Sequence, residues 1–242
     1  MRKPKLFVLL VFLVASTSTG CLNLQLSDLD GILNGQAPLT ESTVADGLKE
    51  ALRVGTDRTS SSLSARGGFS DNSFLRIVLP SKFETAASRL RSLGLGSQVD
   101  EFETQMNRAA EQAALEAVDV FAAAIQAMTV QDAFAILNGP EDAATVYFRD
   151  RTSSELNSRF QPVVQSAMEK VGVYNAYNSL VRRYNAIPLV KPITVDLQTH
   201  IVDGTLHGMF SVLATEEQRI REDPIARTTD LLKRVFGSTQ NQ

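Results

Sequence analysis

The chain has 242 residues, 43% of them hydrophobic and 21% charged, with one cysteine, two histidines and no tryptophan. That length and apolar fraction suit one domain or two small ones with a real core, and they exclude a disordered, collagen-like or disulfide-stapled chain. The formal charge is −3. Setting aside Arg2, Lys3 and Lys5, which belong to an N-terminal leader, 21 basic residues face 27 acidic ones, or −6. Such an acidic body without a basic stripe argues against nucleic acid and against electrostatic adhesion to anionic lipid.

Residues 1–5 are a basic n-region, and Leu6 to Ala15 are ten apolar residues without a charge. Ten residues of helix rise about 15 Å, roughly half a bilayer core, so the stretch reads as a signal-peptide h-region and not as a membrane span. Ser16-Thr17-Ser18-Thr19-Gly20 leads into Cys21, the chain's only thiol. Cys21 has two readings. In one, a lipoprotein peptidase cuts before Cys21, which is then acylated; Thr19 and Gly20 resemble the lipobox, while Ser18 stands where Leu is usual. In the other, an ordinary signal peptidase cuts near Ser18 or Gly20 and Cys21 is incidental. Acylation at about 0.8 kcal/mol per buried methylene would make the anchor effectively permanent. By resemblance to lipoprotein sorting, Leu22 in place of Asp after the cysteine points to the outer membrane. With no second cysteine there is neither a disulfide nor a cysteine-based metal site. Residues 21–41 then form a tether, 42–237 one helical domain, and 238–242 a loose tail.

Helix punctuation organises the body. Val44, Leu48, Leu52, Gly55, Thr59 and Leu63 recur at three to four residues and predict a helix over about 42–65, stopping before Gly67-Gly68. Residues 69–80, with the run FLRIVLP, read as an extended segment packed on the helices. Ser81 and Glu84 match a capping box, followed by the stripe Phe83, Ala86, Ala87, Leu90 and a stop at Gly94. Ser97, with Asp100, opens the longest helix, to about Met128. Its face Val99, Phe102, Met106, Ala109, Ala113, Ala117, Val120, Ala124 gains a second apolar row at Leu115, Val118, Ala122 and Ile125, which predicts a central column over 113–128 buried on both faces. Thr129 and Asp132 cap a short helix to Asn138-Gly139, and Pro140 starts another through Phe148. Thr152 and Glu155 match a second capping box, for a helix to about Val171 kinked or broken near Pro162. Helices over 173–186, 196–221 and 224–236 complete the series. The connections are short, so the fold class is all-α: a compact multi-helix bundle with a long central helix and one short extended segment.

With these elements placed, several strings resemble the bacterial family catalogued as domain of unknown function 4197. They are Asp46 to Leu52 (DGLKEAL), Met106 to Glu111 (MNRAAE), Asp142 to Arg149 (DAATVYFR), Arg221 to Pro224 (REDP) and Leu231 to Gly237 (LLKRVFG). The resemblance covers about 42–237. It implies a single helical unit on an exported bacterial protein and carries no activity, cofactor or catalytic residue.

Chemistry-bearing residues give weaker signals. His200 and His207 stand seven residues apart on one helix, about 10 Å along its axis, too far to share a metal as the four-residue spacing of HExxH does. Asp203 lies within reach of either, and the default is a surface or half-buried His–Asp pair with no metal. Tyr174-Asn175, Tyr177-Asn178 and Tyr184-Asn185 project their rings within about 80° of one another. Such a face can grip a sugar or peptide, or bury its rings and leave the hydroxyls wet. Asn107, Arg108 and Glu111 fit either a polar pocket facing Tyr147, Arg149 and their neighbours or ordinary helix–helix pairing, with Arg108 and Glu111 at i, i+3. Glu216, Glu217, Arg219 and Arg221 alternate in sign and read as a solvated face. GxSxG and Walker loops are missing, and Gly94-Leu95-Gly96 lacks a third glycine and a preceding strand.

The expectation is a lipid-anchored periplasmic protein without a cofactor that binds an envelope protein or a small ligand. The alternatives are a carboxylate- or metal-dependent enzyme and a carrier of an apolar ligand in a cavity along the long helix. A polar cleft with close carboxylates favours the enzyme, an enclosed apolar tunnel the carrier, and a flat or absent cleft the partner-binder.

Overall fold

Thr40 is where the helical body begins: its hydroxyl accepts the Thr43 amide at 3.2 Å, satisfying a first-turn donor of helix α1 (Glu41–Ser64). The computed structural model describes residues 40–170 and 172–222, all within one compact unit that starts at Thr40. The leader, Cys21, the tether up to residue 39, the helix expected from Pro224 and the tail lie outside the described residues. After α1 come α2 (Ser81–Leu90), α3 (Gly96–Ala113), α4 (Ala117–Ala127), α5 (Val130–Leu137), α6 (Ala143–Lys170), α7 (Val173–Asn185) and α8 (Leu197–Glu222). No strand occurs among the described residues, and the fold is all-α.

Helices α6 and α8 share the most extensive packing. The rod α3–α4 lies along α6, with α3 also against α7 and α8, while α1 covers α8, α4 and α5. Two aromatic groups fill the core. Phe83, Phe102 and Tyr177 meet at centroid distances of 5.6 to 6.0 Å. Phe121 packs edge-on to Phe148 and Phe210 at 5.2 and 6.4 Å. Such geometries add to the burial each ring already contributes.

Several local expectations are corrected. The long helix is interrupted by a 3₁₀ turn at Ala114–Glu116. Tightening from about 100° to 120° per residue re-aims the side chains beyond it. Ala113, Ala114, Ala117, Val120 and Phe121 face the core, whereas Leu115 and Val118 of the expected second buried row are 58% and 38% exposed. Residues 113–128 are therefore buried on one side only. Ser81 and Glu84 form no capping box. Pro80, at φ −55° and ψ 137°, is itself the cap residue, and its carbonyl accepts the Phe83 and Glu84 amides at 2.7 and 3.2 Å. Nor does Ser97 cap α3, which starts at Gly96; Asp100 pairs instead with Arg91 at 2.9 Å.

Thr152 and Glu155 do not start a helix either, because α6 runs unbroken from Ala143 to Lys170. The Thr152 hydroxyl donates to the Phe148 carbonyl one turn back at 2.6 Å, a bond that leaves it no capping role. Pro162 sits within α6 without ending it. Pro162 and Ser158 are both exposed, so water can satisfy the carbonyl that Pro162 deprives of a partner.

Glu217 overturns the solvated-face reading of the α8 terminus, being only 7% exposed. Its carboxylate accepts the Ala144 and Thr145 amides at 2.9 and 2.8 Å and the Thr145 hydroxyl at 2.8 Å, capping α6 from 72 residues away. Arg221 donates to the same carboxylate at 2.9 Å and to the Ile136 carbonyl at 2.9 Å. Removing the carboxylate strands the first-turn donors of α6 and takes one partner from Arg221, so Glu217→Ala is expected to cost about 3 kcal/mol in urea unfolding, and Glu217→Gln less.

The expected Thr129–Asp132 box does form, with the Thr129 amide reaching Asp132 at 3.0 Å and the Asp132 amide reaching the Thr129 hydroxyl at 3.0 Å. The Thr129 amide first, then its hydroxyl, hold the Asp132 pKa below its ordinary value. A carboxylate lowered in this way stabilises the fold fully above its unfolded pKa of about 4 and stops doing so as the pH falls through the lower folded value. The melting-temperature advantage of the native chain over Asp132→Asn should accordingly be largest near pH 7 and disappear in strong acid.

Candidate functional site

Between α1 and α2 the chain crosses the bundle as a strap, residues 65–80, that no regular ladder holds. Its backbone polar groups need partners from elsewhere. One face of α3 supplies them. Glu111 Oε1 accepts the amides of Gly67 and Phe69 at 3.1 and 3.3 Å, with the Ser70 amide and hydroxyl at 3.5 Å. Gly67 can turn the chain around this carboxylate because its φ of +88° suits a residue without a side chain. One helical turn earlier, Asn107 Oδ1 accepts the Ile77 amide at 2.8 Å while its Nδ2 donates to the Ile77 carbonyl at 2.9 Å. Arg76 adds an ion pair to Glu103 at 3.0 Å.

Helix α8 receives the strap's side chains. A Cβ at Gly208 would stand 2.6 Å from Phe69 Cε1, and one at Gly204 would stand 2.9 Å from Ile77. These two glycines are the notches into which Phe69 and Ile77 fit. His200, one turn before Gly204, bonds the Val78 carbonyl through Nε2 at 2.8 Å.

Where the strap leaves α8 an open groove of about 880 Å³ remains, in the upper part of the usual range for ligand pockets. Val78, Lys82 and Glu84 line one wall; Thr194, Asp196, His200 and Asp203 line the other. Both walls are held from behind. The Val195 amide donates to the Tyr177 hydroxyl at 3.1 Å, and the Tyr177 ring sits in the Phe83–Phe102 cluster. Asp196 caps α8 by accepting the Thr199 amide and hydroxyl at 3.0 and 2.8 Å, and these bonds, the amide first, lower its pKa. No hydroxyl in the groove bonds to His200. Among the described residues no three His, Cys, Asp or Glu side chains are placed to hold a metal ion.

The residues singled out in the sequence do not converge. Asn107 and Glu111 act together, turned to the strap and not toward residues 142–149. Arg108, half-buried, makes no hydrogen bond or ion pair among the described residues, so its expected pairing with Glu111 is not formed. Tyr147 packs edge-on to Phe148 and under the Arg151 guanidinium at 5.4 Å; burial, then the Asp132 charge, raises its pKa. Arg149 lies 5.5 Å over the Phe210 ring. On α7, Tyr177 and Tyr184 are drawn into the body, Tyr174 is half-buried, and Asn175 and Asn178 are exposed. His200 bonds the strap instead of Asp203, and His207 is exposed. Sequence reasoning missed the two notches and the Val78 contact. Their one signal was the small-xxx-small spacing of Gly204 and Gly208.

A family model described as "Protein of unknown function (DUF4197)" matches residues 38–237, and the chain belongs to that family. No curated protein and no solved structure matches.

The strap's dependence on both helices is measurable. Asn107→Ala leaves the Ile77 amide and carbonyl unpaired in the interior and is expected to cost about 2–3 kcal/mol. Gly208→Ala forces Phe69 outward at a cost of about 1–3 kcal/mol. Urea unfolding reads both, and slowed amide exchange across residues 67–77 should be lost first.

Proposed function

We propose that this member of the DUF4197 family is a lipid-anchored protein of the bacterial envelope, tethered through Cys21 to the outer membrane, that docks a segment of another envelope component in the groove between strap and α8. The groove is the observation that carries the reading. It is open along its length, lined by polar and apolar groups alike, and its walls are braced by directional hydrogen bonds, so little ordering remains to be done on binding. Support for the anchor comes from the basic n-region, the ten-residue apolar run and the small residues before the one cysteine. Among the described residues no single helix is long and apolar enough to cross a membrane.

The carrier reading calls for an enclosed apolar hollow. The hollow bounded by Leu48, Leu52, Ile136 and Ile220 has about 20 Å³, room for little more than one water, and cannot take an acyl chain. An enzyme reading calls for a base aimed at a nucleophile or at a metal, and the His200 Nε2 is engaged by the Val78 carbonyl.

Cell fractionation tests the anchor: native chain is expected with outer membranes and Cys21→Ser in the soluble periplasmic fraction, and unchanged membrane association of the variant would refute acylation. A photo-crosslinking residue at Thr85, within the groove, should capture a partner in cells, whereas one at Ser154, on the exposed side of α6, should not.

A further inference from the structure

We propose that the groove takes an extended peptide segment bearing lysine or arginine, which pairs with the backbone of Val78 as an added strand and sets a cationic side chain against Asp203 and Glu84. This rests on the docking reading above and names its ligand class.

The backbone argument starts at Ile77. A single side-chain amide, that of Asn107, bonds both the N–H and the C=O of Ile77. Both groups must then point to the same side, which is the geometry of an extended residue. In extended chain the next residue presents its N–H and C=O to the opposite side. Val78 therefore turns its peptide groups away from α3 and toward α8. The bond from His200, on α8, to the Val78 carbonyl bears this out. The Val78 amide has no hydrogen-bond partner among the described residues, and the residue lines the groove with 62% of its surface exposed.

Across the groove Val195 gives its amide to Tyr177 behind the wall, while the amide and carbonyl of Thr194 have no partner among the described residues. Each wall thus carries peptide groups with no partner among the described residues beside a space of about 880 Å³. An extended peptide is the ligand whose donors and acceptors alternate as such edges require. The Val78 carbonyl retains a second lone pair, so His200 need not leave.

Charge selects the side chains. Glu84, Asp196 and Asp203 line the groove against Lys82, the only lysine or arginine in its lining among the described residues. Glu84 and Asp203 have no ion pair among the described residues, so their charges are available to a ligand. An excess of carboxylates disfavours an anionic ligand, although the first turn of α2 lies there, and attracts a cationic one in a salt-dependent way.

The test uses the full-length chain in neutral detergent micelles and a fluorescein-labelled peptide, acetyl-Val-Lys-Val-Lys-Val-Lys-amide, followed by anisotropy at low ionic strength. Methylating alternate backbone nitrogens of the peptide, or replacing its lysines by glutamate, should each weaken binding about tenfold or more. Asp203→Lys in the protein should do the same, and Asp150→Lys, an equal charge change on the exposed side of α6, should change it less than about twofold. The Val78 amide resonance should shift on saturation and exchange more slowly. Equal binding of the methylated peptide, equal losses at Asp203 and Asp150, an unmoved Val78 amide, or no binding of any peptide would each overturn the inference. Partner capture from Thr85 that persists in any of those cases leaves the docking reading standing and sinks only the strand pairing.

Discussion

Two side chains on consecutive turns of α3, Asn107 and Glu111, determine where the irregular strap of residues 65–80 lies. A peptide segment crossing a helical bundle has no ladder to satisfy it, and each buried amide left unpaired costs about 1–3 kcal/mol. The Asn107 amide replaces a neighbouring strand at Ile77, and the Glu111 carboxylate collects the amides of the Gly67 turn. Every other feature of the site depends on that placement: Phe69 and Ile77 in their α8 notches, His200 on Val78, and the groove left beyond.

Glu111 and Glu217 solve the same problem in the same way. Each is a buried carboxylate whose oxygens accept backbone amides distant in sequence, one set at a turn and the other at the start of α6. Backbone donors stabilise a carboxylate without the entropy of holding two long side chains in register. Arg221 completes the second site and ties α5 to it through the Ile136 carbonyl. The bundle is thereby cross-linked at the strap and at the start of α6 by polar contacts that carry direction as well as energy, while the rings of Phe83, Phe102, Phe121 and Phe148 supply burial.

The same economy shapes the groove. Its backing bonds, from Val195 to Tyr177 and from Thr199 to Asp196, are directional, and Lys82, Glu84 and Asp203 line it without an ion pair among the described residues. In the docking proposed above, little of such a site needs ordering when a ligand arrives, and selectivity would reside in charge and backbone alternation more than in a deep apolar pocket.

The helical class, most helix positions and the Thr129–Asp132 cap were legible in the sequence, because periodicity and local capping act over three or four residues. The stop at Gly94 and the break at Gly172 were legible for the same reason, but of the extended segment expected over 69–80 only 76–80 runs free of turns, because backbone bonds between residues 69 and 76 coil the first part. Asn107 and Glu111 could be singled out as polar residues on an apolar helix, but not their partners, which lie 30 and 41 to 44 residues away. The capping boxes at Ser81 and Thr152 were misleading since a motif states only that a side chain can reach an amide. Whether that amide is free depends on Pro80 in one case and on an uninterrupted α6 in the other. Glu217 looked solvated because sign alternation is blind to what packs above it. Local sequence by itself determined which segments coil. Only the tertiary structure decided which polar groups are buried together, since desolvation and hydrogen bonding across the bundle depend on distances that no spacing along the chain encodes.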